Sequence, residues 1–228
     1  MKPRRKPRLT IVGIVSAAVA LGGCTTTTTA PIEAAPTQDG LQRAEVKGID
    51  AVYRKPDANL SRYTKLLVRR AEVQFAKDWN PGTESTPLTL SDADRDRIRG
   101  DLSAAFHDVL KRELQTEGGY VLVDSAGPDV LEVRPTIVDL AVKFSGDSKQ
   151  TDVQATTYTL KAGEMTLVAE LHDSVTGELL SRAYDKEESS GSWQWTPSMP
   201  RTTEARRIME KWAKLLRHSL DASRNAAS

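Results

Sequence analysis

Between Ser91 and Gly119 the sequence carries an apolar stripe that a helix gathers onto one side. Ile98, Leu102, Phe106, Val109, Leu110 and Leu114 recur at spacings of three and four. Ser91 is a good N-cap, Asp94 stands in the capping-box position, and Gly118-Gly119 tolerate a left-handed cap at the far end. Asp92, Asp94 and Asp96 also mimic the start of a calcium loop. Such a loop needs glycine where Arg97 stands and a bidentate glutamate where Ser103 stands. The same acids complement the positive end of a helix dipole, which is the better account of them. A helix with a single apolar side must bury it against another layer.

The flanking segments offer that layer as strands. "YTKLLVRRAEVQFA" (63–76) is apolar on both faces at first and then alternates, as one strand would. "YVLVD" (120–124) is a short strand. "VLEVRPTIVDLAVKF" (130–144) is a long one whose apolar residues switch from odd to even positions near Ile137-Val138, just after Pro135, which predicts a bulge or bend. Residues 145–162 read as a loop or weak hairpin. Met165 to Leu171 alternate, "DSVTGE" turns, and "LLSRAYDKE" returns as the hairpin partner. A second helix is expected from about Pro200 to Ala222. Its apolar stripe is Ala205, Ile208, Met209, Trp212, Leu215, Leu216 and Leu220, and its other side carries Arg206, Arg207, Lys211, Lys214 and Arg217. That basic side reads as a solvated face interrupted by Glu210. The expected fold is α+β: a two-layer sandwich of a largely antiparallel sheet with two amphipathic helices on one face, the first strand–helix–strand unit able to place two strands parallel.

The N-terminus is of another kind. MKPRRKPR holds five positive charges, thirteen uncharged residues follow (LTIVGIVSAAVAL), and Gly22-Gly23 precede the only cysteine, Cys24. A basic segment, a short apolar run and small residues make an export signal. A permanent span needs about 20 apolar residues, and only fifteen lie between Leu9 and Gly23. Leu21-Gly22-Gly23-Cys24 resembles the lipobox of bacterial lipoproteins. That resemblance implies a diacylglycerol on the Cys24 sulfur, cleavage before Cys24, and N-palmitoylation of the new amine. One acyl chain holds a protein reversibly, whereas several hold it stably. Thr25 stands where an aspartate tends to retain such proteins in the inner membrane. By the same resemblance the expected location is the outer membrane, at its periplasmic face. The organisation is then a signal peptide at 1–23, the lipidated cysteine with a Thr/Pro/Ala tether at 24–44, one domain at 45–224 and a disordered tail at 225–228. Residues 25–40 hold too little apolar surface to offset their ordering entropy. They would span about 20–24 Å on average.

Charge and residue types narrow the function. Five of the 32 basic residues fall in the leader, leaving 27 against 31 acidic ones, so nothing favours nucleic acid. With Cys24 acylated no disulfide forms, and stability has to come from packing. His107 and His172 each precede an aspartate, but phosphohydrolase-type metal centres need more ligands than His218 can add. His172, on the parity opposite Met165–Leu171, reads as exposed. "ESSGSW" lacks the first glycine of a nucleophile elbow, and the glycines sit at turns rather than in a phosphate loop. No cofactor and no metal site are expected, and no catalytic residue can be named. Trp193 and Trp195, two apart in "SSGSWQWTPSMP", would point to one side of an extended loop. Either they stack on a sugar or anchor a partner protein, or they cover a core edge where the chain crosses to the second helix.

"RYTKLLVRRAEVQF", "AGPDVLEVRPTIVDLAV" and "AELHDSVTGELLSRAYD" resemble a family of bacterial lipoproteins known only as a domain of unknown function. Those passages are strands and turns, so the resemblance implies a fold and adds no site residues. The expected function is that of a membrane-anchored, non-enzymatic binding or accessory domain for an envelope protein or a glycan such as peptidoglycan. A carboxylate-dependent cell-wall hydrolase and a structural oligomer are the alternatives.

Overall fold

The structure is a computed structural model. It describes residues 39–77, 79, 91–145, 158–188, 192–196, 199–201 and 203–225, with backbone alone at 142–145, 158–163, 192–196, 199–201, 203 and 204. All of these lie in one compact unit, Ala34–Ser228. The strands are β1 (Gln42–Ala44), β2 (Ala51–Arg54), β3 (Lys65–Val68), β4 (Glu72–Phe75), β5 (Val121–Leu122), β6 (Val130–Ser145), β7 (Tyr158–Asp173), β8 (Leu179–Glu188), β9 (Ser192–Thr196) and β10 (Met199–Arg201). The helices are α1 (Asp92–Gln115), between β4 and β5, and α2 (Thr203–Asn225), with a 3-10 turn at Leu60–Arg62. Among the described residues no helix is long and apolar enough to cross a membrane.

The sheet runs β1-β2-β8-β7-β6-β3-β5, with β4 following β3 along β6, β9 paired to β7 and β10 to β9. Of the pairings among described residues, β3–β5, β3–β6 and β4–β6 are parallel and the other six are antiparallel. Val133 opposes Leu171 and Ile137 opposes Leu167 on one face, while Glu132 opposes His172 and Arg134 opposes Glu170 on the other. Both helices pack on the first face, where one core joins the α1 stripe, Ile208, Met209 and Trp212 of α2, and Leu66, Val73, Leu131, Ile137 and Leu140 of the sheet. The result is an α+β two-layer arrangement, as expected. Phe106 and Trp212 meet between the helices with ring centroids 5.8 Å apart.

The α1 reading holds residue for residue. All six stripe residues are buried, and Ser91 caps the helix by accepting the Asp94 N–H at 3.1 Å. Gly118 has φ +66°, and a Cβ on Gly119 would sit 2.3 Å from the Leu114 carbonyl oxygen, so the exit from α1 requires glycine. The phase switch in β6 falls at Asp139, a bulge residue with φ 53°; the register against β7 shifts there and Leu140 enters the core.

Elsewhere the structure departs from expectation. The segment 63–76 forms two strands, β3 and β4, interrupted at 69–71. The cause lies on β6: the Val133 carbonyl accepts from Arg69 on that side. Two residues on, the backbone at Pro135 turns to the same side and has no N–H to give. The unit also reaches further toward the N-terminus than residue 45. Leu41 is fully buried and Gln42–Ala44 form β1, inside the segment assigned to the tether, of which 24–38 lie outside the described residues. Within the segment expected as a loop or weak hairpin, β7 starts at Tyr158, and 146–157 lie outside the described residues. The helix α2 starts three residues late and takes in Asn225; 226–228 lie outside the described residues. Leu215 and Leu216 are only half-buried, whereas Ala213 is buried.

Candidate functional site

Three separate stretches meet at the end of the sheet where β7 turns into β8, and Asp173 joins two of them. Its side chain is buried at 3% exposure for the residue. Oδ1 accepts the backbone N–H of Thr176 at 2.8 Å, that of Val175 at 3.0 Å and the Thr176 hydroxyl at 3.1 Å. Oδ2 accepts the Tyr63 hydroxyl at 2.8 Å and the Arg62 guanidinium. The Thr176 N–H, with Tyr63 and the rest of the turn, outweighs burial and holds this carboxyl well below the usual carboxylate range. Next to it the Ser174 hydroxyl accepts from the Gly127 N–H at 3.1 Å and donates to the Gly127 carbonyl at 3.0 Å. Asp129 takes the Thr64 hydroxyl at 2.8 Å.

Two further buried acids are held in the same manner. On the helix-free face, burial opposes the charge of Glu132, but hydrogen bonds from Arg134 and Arg69 outweigh it and keep the carboxyl below its ordinary range. The network continues along the sheet: the Arg182 Nε donates to Glu170 at 2.7 Å and its Nη1 to Asp39 at 2.8 Å. On the core face Asp185 accepts the Trp212 indole N–H at 2.8 Å and Lys211 at 3.1 Å on Oδ2, and the Asp50 N–H at 3.2 Å on Oδ1. A carboxylate saturated with donors and stripped of solvent is a poor proton acceptor for chemistry and a good structural pin.

His172 corrects the reading of an exposed side chain. It is 7% exposed, with Nδ1 donating to the Gly177 carbonyl at 3.0 Å and Nε2 3.0 Å from Glu170 Oε2. The parity placed it on the helix-free face correctly. The turn after Asp173 and the neighbouring Glu170 bury it there. Among the described residues no three of His, Cys, Asp and Glu are grouped to hold a metal ion.

The residues singled out from sequence are not brought to this corner. Cys24 lies outside the described residues. Trp193 and Trp195 lie on β9 rather than on a loop, opposite Leu160 and Tyr158 of β7, and backbone alone is described there. Sequence reasoning missed Tyr63, Asp173 and Asp185 as organising residues. Asp185 had a signal: a charged residue at a core-facing strand position, two on from Ala183.

The Asp173 corner is built from "RYTK", "AGPD" and "HDSVTGE", parts of the three passages that carry the family resemblance. The model of the family described as "Protein of unknown function (DUF3313)" matches residues 32–216. The chain belongs to that family. No curated protein matches it. Solved structures similar to it include protein XCC0632 from Xanthomonas campestris, at 13% identity over 72% of this chain and 88% of that one, TM-score 0.38. The hypothetical protein CT253 from Chlamydia trachomatis matches at 10% identity over 70% and 99%, TM-score 0.36. The PelC dodecamer from Paraburkholderia phytofirmans matches at 13% identity over 73% and 96%, TM-score 0.33.

Proposed function

We propose that the chain is a lipid-anchored lipoprotein of the bacterial envelope, held at the periplasmic face of the outer membrane through Cys24, whose domain serves as a non-enzymatic accessory module. The observation that carries this reading is the placement of the lone cysteine: Leu21-Gly22-Gly23-Cys24 closes a short apolar run behind a basic N-terminus. The commitment of Asp173, Glu132 and Asp185 to cations and backbone donors supports an accessory role over hydrolysis by paired free carboxylates. From Cys24 to Asp39, where the described residues begin, the chain reaches at most about 50 Å. Its partner, an envelope protein or a glycan, therefore lies close to the membrane. Trp193 and Trp195 are the candidate contacts.

The test is crosslinking in intact cells that produce the full chain, followed by identification of what is captured. The Trp193→Ala/Trp195→Ala form should lose the main crosslinked species while keeping its melting temperature. An unchanged crosslinking pattern would remove the tryptophans from the interface.

A further inference from the structure

The β1–β2 connection stands against the C-terminal half of α2 and leaves a groove there. Gly48, with φ +82°, makes the close approach possible: a Cβ on it would meet Leu215 Cδ2 at 3.3 Å. The groove measures about 480 Å³ and is lined by Glu45, Val46, Lys47, Arg54, Leu215 and His218 among others. Leu215 and Ser219 also line a second, smaller pocket of about 50 Å³, which lies over Val52, Ala169, Leu171 and Ala183 on the sheet. The alanines leave that space unfilled beneath half-buried Leu215 and Leu216. The two spaces together are of the size that holds a small ligand.

Arg54 is the unexplained residue of this region. It pairs in register with Ser181, next to the core-facing pair Val52–Ala183, so it projects toward the helix side of the sheet. Its Nε is buried without a hydrogen-bond partner. Buried N–H groups are otherwise almost always paired, and a guanidinium fork matches a planar anion. Glu45, Lys47 and His218 line the same groove, and the Arg54 Nε is the buried donor there that is left to be met.

We propose that this groove binds a fatty acid, with the carboxylate on Arg54 and the acyl chain running over Leu215 toward the pocket above Ala169 and Ala183. This goes beyond the accessory role and does not depend on acylation of Cys24. A carboxylate matches the Arg54 guanidinium, and Val46, Leu215 and Ala222 in the groove, with Val52, Ala169 and Leu171 in the inner pocket, give an acyl chain apolar surface to lie on.

The experiment uses the full chain as cells produce it, in lipid nanodiscs, and a photoactivatable dodecanoate probe, with the labelled peptides mapped by mass spectrometry. Labelling should fall on the segments containing residues 45–54 and 212–223 and be displaced by dodecanoate but not by dodecanol. Arg54→Gln should cut the yield about tenfold or more, in line with loss of a charge-assisted hydrogen bond. Ala183→Leu leaves the charge alone and narrows the inner pocket. It should reduce labelling by the dodecanoate probe and spare that by an octanoate probe, which gives an independent reading if Arg54→Gln alters folding. Labelling spread over the whole surface, equal displacement by dodecanol, or yields unaffected by both substitutions would overturn the proposal.

Discussion

The hydroxyl of Tyr63 lies 2.8 Å from Oδ2 of Asp173, 110 residues further along the chain. It joins the approach to β3 with the turn between β7 and β8, and it does so on a carboxylate that the turn's own N–H groups keep ionised. A hydrogen bond to a buried charge contributes about 1.5–3 kcal/mol. Tyr63→Phe should therefore cost about 2 kcal/mol and lower the melting temperature by about 4–8 °C for a domain of this size. Calorimetry at neutral pH measures it directly. An unchanged midpoint would mean that the corner is not a structural pin.

Acid sensitivity should follow from the same residue. Asp173, Glu132 and Glu170 are all held below their ordinary carboxyl range in the folded protein. A depressed carboxyl binds its proton more readily when unfolded. Its contribution is therefore complete above the unfolded value, near about 4, and is lost as pH falls from there through the folded values. The melting temperature should be flat at neutral pH and fall steeply below about pH 4. Asp173→Asn should start lower at pH 7 and fall less steeply. A mutant curve parallel to that of the wild type would contradict the assignment.

The basic side of α2 is only partly a solvated face. Arg217 Nη1 donates to the carbonyls of Glu113 at 3.2 Å and Thr116 at 3.0 Å, its Nη2 to that of Glu117 at 3.2 Å, and its Nε to Asp221 at 2.7 Å. These carbonyls lie in the last turn of α1 and just past its Thr116 cap, where the Glu113 carbonyl otherwise accepts the Thr116 N–H at 3.4 Å. Arg217→Met keeps the stem and removes the fork. It should cost about 1 kcal/mol and speed amide hydrogen exchange in the last turn of α1. Arg217→Lys, a point charge without a fork, should fall between the two. Equal exchange rates in all three would show that α1 ends unaided.

What the sequence discloses depends on how local the cause is. The α1 stripe, its Ser91 cap and the Gly118-Gly119 exit are settled within 30 residues, and each is where periodicity places it. The parity change in β6 is local too, and it resolves at Asp139, one residue from the expected site. By contrast, the break between β3 and β4 is caused by Pro135 on another strand, which no reading of 63–76 can reveal. His172 was placed on the correct face but not in its buried surroundings, because alternation gives a direction and not the neighbours. The Asp173 corner appears in the sequence as three unrelated turns, since its partners are assembled only when β3, β6 and the β7–β8 turn come together. Arg54 gives no signal in the sequence at all. Its interest comes from the groove around it.

The proposed envelope role rests on Cys24, and labelling of growing cells with radioactive palmitate tests it most directly. The wild-type chain should carry the label and lose its leader. The Cys24→Ser chain should stay at precursor length and remain unlabelled. A serine form that is shortened and labelled like the wild type would contradict the anchor, and with it the envelope role proposed for this protein.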